Sequence, residues 1–202
     1  LAAAAPMLQQ LGMHGTPGEI SFHTSAKEAV KDCQFVQECA PEKLHIKHQL
    51  YAEIEEHLLP DAIVASSASG LMVSEMQAGW LDPSRFILGH PFNPPHLIPL
   101  VELVANDKTA DGVLEHAEAF YKLVGKVTIR VRREVPAHVA NRLQAALWKE
   151  AIHLVESGVA SVEDVDKAVW AGPGLRWAAM GPHMLFNLGA GKGGMAEFCD
   201  RY

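Results

Sequence analysis

The sequence predicts an α/β domain built on a mainly parallel sheet, followed by an all-α domain. Three observations carry this expectation. From Glu19 to about Val131, short apolar runs alternate with helix-period stretches, the pattern of β-α-β units. After the charged Arg132 to Glu134 and Pro136 the pattern becomes helix only. Across 202 residues, 49% hydrophobic and 20% charged is ordinary globular composition, which excludes a disordered, collagen-like or coiled-coil chain. The boundary is expected near Glu134, giving a sheet domain over 1–134 and a helical domain over 135–202.

In chain order, the opening LAAAAPMLQQLGMHG has no Met and no basic n-region, a poor fit to a signal peptide. It reads as the tail of a helix, in a sequence whose natural start is expected upstream. Strands are expected at Ile20 to His23, Gln34 to Cys39, Ala62 to Ser66, Phe86 to His90, Val101 to Val104 and Lys126 to Val131, each short and rich in Val, Ile or Phe. Ala26 to Val30, with Thr24 and Ser25 before it and Glu28 within it, is expected to be a short capped helix. Glu42 to Leu59 carries Leu44, Leu50, Tyr51, Ile54 and Leu58 near a 3.6 period and stops at Pro60; Thr109 to Leu123 repeats that pattern. In the second part, Val139 to Glu156 is a strongly amphipathic helix closed by Gly158. Ser161 caps the next helix, with Glu163 and Asp164 in its first turn as the helix dipole favours. Gly172-Pro173-Gly174 breaks that helix, and glycines divide Leu175 to Tyr202 into short ones. No apolar run approaches the roughly 20 residues that cross a bilayer.

Seventeen Lys and Arg against 24 Asp and Glu give a net charge of −7, with no block of like charge. A nucleic-acid partner needs a basic face and is disfavoured. Cys33, Cys39 and Cys199 have neither the density of a disulfide framework nor a CxxC pair, so reduced thiols in a cytoplasmic protein are expected.

The segment LGHPFNPPHLIPLVELV puts His90 at a strand end and Glu102 on the next strand, with prolines making the loop between them rigid. The carboxyl end of a parallel strand is where open α/β sheets bind ligands. A His paired there with a carboxylate could be a general base whose tautomer is fixed by its partner. The alternative is a His hydrogen-bonded in a turn and an edge Glu in solvent. His90, His96 and Glu102 lack a further ligand cluster, so no metal site is expected. The hydroxyls of Ala65 to Gly70, ASSASG, cap a helix or contact a dinucleotide at a strand end. Asn141, early in the long helix, faces a cleft between domains or is a surface residue. One GxGxxG exists, at Gly189, Gly191 and Gly194, but no strand precedes it and no acidic residue can follow about 20 residues on, so it is a decoy.

Taken together, Phe35 to Lys47 (FVQECAPEKLHIK), Ala65 to Leu71, Gly89 to Val104 and Glu134 to Leu143 (EVPAHVANRL) resemble the 3-hydroxyacyl-CoA dehydrogenase superfamily. GPGLRWAAMGP and the ending FCDRY look most like its λ-crystallin and L-gulonate 3-dehydrogenase branch, with carnitine dehydrogenase close by. The resemblance implies the C-terminal part of a Rossmann-like domain followed by a helical substrate-binding and dimerisation domain. It implies an NAD-dependent oxidoreductase in which His90 takes the proton of the substrate hydroxyl, Glu102 orients His90, and Ser69 and Asn141 bind the reacting oxygen. Glu42, Lys47, Ser67, Ser69 and Asn93 match cofactor positions. Arg176 would clamp the carboxylate of a free 3-hydroxy acid, gulonate- or carnitine-like, with a surface ion pair as the alternative. Oxidation of CoA thioesters in fatty-acid metabolism and a non-catalytic, crystallin-like role are the competing functions. A small-molecule substrate and a homodimer through the helical domain are expected, with no membrane partner. The family's opening strand, GxGxxG and acidic residue do not precede Leu1, so roughly 50 to 60 further residues are expected upstream, and the helical domain is expected to run past Tyr202. A piece without the glycine turn is expected not to bind NAD by itself.

Overall fold

The computed structural model describes residues 4–10, 12 and 18–201. They form two compact units, Leu1–Arg142 and Leu143–Tyr202.

The first unit is a five-stranded sheet in the order β1 (Phe35–Glu38), β2 (Ile63–Ser66), β3 (Phe86–Pro91), β4 (Leu100–Val104), β5 (Val127–Val131). The pairs β1–β2, β2–β3 and β4–β5 are parallel, and β3–β4 is antiparallel. Parallel strands need a crossover of a dozen or more residues, and only Phe92 to Pro99 joins β3 to β4, so this pair must run antiparallel. Helices α1 (Ala4–Gln10), α2 (Ala26–Val30), α3 (Leu44–Ile54), α4 (Val73–Gln77) and α5 (Val113–Leu123) complete the unit.

The central strands are apolar on both sides because both faces are covered. On one face Val64, Phe86, Leu88 and Val104 pack with Tyr51 of α3 and with Val73 and Met76 of α4. On the other, Ile63, Ala65, Ile87, Val101 and Leu103 pack with Val113, Ala117 and Tyr121 of α5. Each large side chain buried this way contributes about 1.5 to 3 kcal/mol, enough to fix the strand ends as a rigid platform.

Several expected boundaries move. Ile20 to His23 is not a strand; Ile20 and Phe22 lie exposed, so nothing is gained by extending there. Ser25 has the extended N-cap backbone of α2, but its side chain makes no capping bond. The helix expected over Glu42 to Leu59 is α3 followed by a 3-10 turn, Glu55–His57. The helix expected from Thr109 begins at Val113, after Gly112 at φ 82, a left-handed backbone that a helix interior does not contain. The Ala65 to Gly70 hydroxyls cap no helix: α4 starts at Val73, where Glu75 accepts from the Met72 N–H and Glu134 from the Ser74 N–H.

The second unit is helical: α6 (Ala140–Glu156) leads into it, then α7 (Val162–Ala171), α8 (Pro173–Ala179), α9 (Pro182–Gly189) and α10 (Gly194–Arg201). Ser161 Oγ accepts from the Asp164 N–H, the expected cap of α7, and Gly158 at φ 70 ends the stretch after α6. Among the described residues no helix is long and apolar enough to cross a membrane.

Candidate active site

In an antiparallel pair, residues opposite each other point to the same face, and the register sets His90 of β3 against Glu102 of β4. Their side chains meet in the interior, His90 being 6% and Glu102 0% exposed, with Nδ1 2.9 Å from Oε2. A carboxylate only accepts, so neutral His90 carries its hydrogen on Nδ1 and its lone pair on Nε2. Nε2 has no hydrogen-bond partner among the described residues.

A buried carboxylate costs several kcal/mol unless its lone pairs are met. The other oxygen of Glu102 accepts from the Val139 and Ala140 N–H groups, each at 2.9 Å. Those amides open α6, whose positive dipole end adds to the stabilisation. The same contacts keep the chain after Glu134 against the sheet. Around His90, the Phe92 ring lies edge-on at 5.4 Å and the His138 ring at 5.3 Å.

The local sequence explains why the platform holds still. Gly89 leaves room for Tyr121: a Cβ there would overlap the Tyr121 hydroxyl and press on Ala65. That hydroxyl donates to Gln37 Oε1, while Gln37 Nε2 donates to the Ala65 and Gly89 carbonyls and to Ser67 Oγ, cross-bracing three strand ends. Burial, with Cys39 nearby, raises the Tyr121 pKa against the opposite pull of the Gln37 bond, keeping it a neutral donor. The Lys126 ammonium donates to the Pro95 and Ile98 carbonyls, pinning the proline-rich connection.

The expected site residues divide into three groups. His90 and Glu102 form one pair in the first unit and Ser69 and Asn141 another, with Asn141 Nδ2 donating to Ser69 Oγ at 2.9 Å. Glu42, Ser67 and Asn93 lie at or just past the carboxyl ends of β1, β2 and β3. Glu42 Oε1 accepts from three consecutive N–H groups, Ser69, Gly70 and Leu71, and so shapes the loop after β2. Ser67 Oγ meets Gln37 and Cys39, and Asn93 is exposed.

Lys47 is a correction. It is 1% exposed, and its three donor positions are taken by both oxygens of Glu38 and by the Ala40 carbonyl. Glu38 in turn accepts from Tyr51 and Ser66. Lys47 therefore braces the turn after β1 from within and has no proton left to offer a cofactor.

Arg176, expected in a buried cleft, is exposed on α8 in the second unit and forms no ion pair among the described residues. It borders a cavity of about 630 Å³ with Leu175, Met180, Phe186 and Phe198. Gly189, Gly191 and Gly194 end α9 and start α10, with no strand before them in that unit. Among the described residues no three His, Cys, Asp or Glu side chains gather to hold a metal, and His96 contacts the Met7 sulfur instead.

His138 is a site residue that sequence reasoning missed. It is 2% exposed, its Nε2–H donates to the Ala68 carbonyl at 3.2 Å, and burial holds its imidazole below the usual histidine range. Its sequence signal is small: an isolated His between Pro136 and Asn141.

Comparison with known proteins places these residues in context. The family model described as the NAD-binding domain of 3-hydroxyacyl-CoA dehydrogenase matches residues 3–135, and that of its C-terminal domain matches residues 138–202. L-carnitine dehydrogenase of Streptomyces griseus is 47% identical over 204 residues, covering 100% of this chain and 61% of the relative's length. Among solved structures, an NAD+-dependent dismutase, 5-formyl-3-hydroxy-2-methylpyridine 4-carboxylic acid 5-dehydrogenase, superposes with TM-score 0.87 at 34% identity, covering 93% of this chain and 62% of that one. A 3-hydroxyacyl-CoA dehydrogenase of Archaeoglobus fulgidus gives 0.71 at 32% identity over 80% of this chain and 55% of its own.

Proposed function

The chain belongs to the 3-hydroxyacyl-CoA dehydrogenase family, and from that premise we propose that the protein oxidises the 3-hydroxyl of a small, carnitine-like 3-hydroxy acid with NAD as cofactor and His90 as base. The observation that carries this is the buried His90–Glu102 pair, which leaves one imidazole lone pair unpartnered at the carboxyl end of a parallel strand. NAD, when bound, supplies the hydride acceptor. The groups at the strand ends suit a dinucleotide: Glu42 has Oε2 outside its loop-holding bonds, Ser69 and Asn93 are exposed, and Ser67 stands beside them.

In this reading His90 Nε2 accepts the hydroxyl proton as the C–H hydrogen leaves as hydride. Glu102 steadies the resulting imidazolium through Oε2, while two backbone amides hold its Oε1. Ser69 accepts from Asn141 and so keeps its own O–H free to donate to the reacting oxygen. Arg176, exposed on α8 in the second unit, is a guanidinium of the kind that holds a carboxylate in a bidentate pair. The second unit leaves Trp148, Trp170 and Leu143 more than half exposed, and covering them in a homodimer is the matching assembly. Three free thiols fit a cytoplasmic setting.

The test is a substrate panel on the full-length protein with NAD, following the reduced cofactor: L-carnitine, other free 3-hydroxy acids and 3-hydroxybutyryl-CoA. A higher kcat/KM for the free acids is expected. Preference for the thioester moves the substrate to the acyl-CoA class, and no turnover of any of them removes the dehydrogenase reading.

A further inference from the structure

His138 has no part in the proton transfer described above, yet its placement is costly. Ala137 and His138 have φ of 61 and 51, a left-handed backbone that L residues rarely adopt, Asn, Asp and His less rarely than Ala. Two non-glycine residues held there in succession, beside a buried base, are evidence of a constraint. The geometry gives one. The turn brings the Val139 and Ala140 N–H groups onto Glu102 and sends the His138 ring back to the loop after β2, where Nε2–H donates to the Ala68 carbonyl. One residue past Ala68 and three past His138, Asn141 Nδ2 donates to Ser69 Oγ. Residues 68–69 and 138–141 are thus joined at two points, one of them buried.

We propose that His138 is a positioning residue: its bond to Ala68 holds Ser69 and Asn141 at the reacting oxygen and keeps the α6 amides aligned on Glu102. This rests on the assignment of His90 as base. His138 does not relay the proton. Its Nε2–H is committed to a carbonyl, which cannot pass a proton on, and burial, helped by His90 when protonated, keeps the ring neutral against the pull of the Ala68 carbonyl, Glu102 and Glu42.

The experiment compares His138→Phe, which keeps the ring and loses the donor, with His138→Gln, whose amide nitrogen stands where Nε2 does. In the full-length enzyme, His138→Phe is expected to lower kcat about tenfold or more, with KM little changed, since misplacement of a positioning group is felt in the transition state. His138→Gln should stay within about threefold of wild type, and the acid limb of the pH–rate profile should not move in either. Should the Phe variant not fold, His138→Asn, too short to reach Ala68, takes its place. Equal rates in both variants, whether both normal or both impaired, overturn the proposal, as does an acid limb that shifts in both. His90→Ala, assayed alongside, separates the two readings: if it keeps its activity, the base assignment fails, whatever His138 does.

Discussion

Glu102→Gln isolates what the carboxylate does for His90. The amide oxygen can still accept from Val139 and Ala140, but the amide nitrogen now faces Nδ1 and donates to it. The imidazole hydrogen must move to Nε2, the lone pair that should take the substrate proton disappears, and turnover is expected to fall about 10²-fold or more with the fold retained. Unchanged turnover, with the fold verified by circular dichroism, contradicts the tautomer argument. At the same scale His138 links stability to pH. Its pKa in the folded protein lies below the unfolded value of 6.5, because burial disfavours the charged ring and protonated His90 opposes it, while Glu102 and Glu42 pull the other way. The unfolded chain therefore binds the proton first. This contribution is fully present above pH 6.5 and is lost as pH falls from 6.5 through the folded value. Denaturant midpoints measured across that range should fall less steeply for His138→Gln than for wild type; identical slopes would show that His138 titrates normally.

Elements carry the next level, and two backbone positions test it. Gly89 of β3 is the only residue type that leaves Tyr121 its place against Gln37, so Gly89→Ala must push α5 away from the sheet or break the cross-brace. A loss of about 1 to 3 kcal/mol, typical of overpacking, is expected by chemical denaturation, together with lower activity because His90 is the next residue. Ala137→Gly runs the other way. It relieves roughly 1 to 2 kcal/mol of left-handed strain against roughly 0.5 to 1 of added chain entropy in the unfolded state. A gain of about 0.5 to 1 kcal/mol is expected on that difference, and a destabilised variant would mean that the Ala137 methyl makes contacts worth more than the strain.

At the scale of the whole molecule, much of this was legible in the residues and the rest has physical reasons for being hidden. The three central strands show in Ile63, Phe86 and Val101 because strands covered on both faces must be apolar runs, and the edge strands show in the aromatic Phe35 and the β-branched Val127. His90 and Glu102 were legible because a short, proline-stiffened connection forces their strands to pair, although the antiparallel sense, deducible from that same shortness, was not drawn from it. Ile20 to His23 misled because an apolar run says nothing about whether a partner strand is there to receive it. Lys47, Glu38 and Gln37 could not be assigned from sequence: their partners lie up to 84 residues away, and only folding decides whether a lysine meets solvent, a cofactor or a buried glutamate. His138 was hidden for the same reason, its partner Ala68 lying 70 residues back.

The central claim is that the unpartnered nitrogen of His90 is the base for oxidation of a 3-hydroxyl. Its most direct test is the rate of cofactor reduction in His90→Ala of the full-length protein, at saturating NAD and with whichever 3-hydroxy substrate the wild type prefers. The account predicts a loss of about 10²-fold or more in kcat, with NAD affinity by calorimetry nearly unchanged. A His90→Ala enzyme that reduces NAD at the wild-type rate would contradict it.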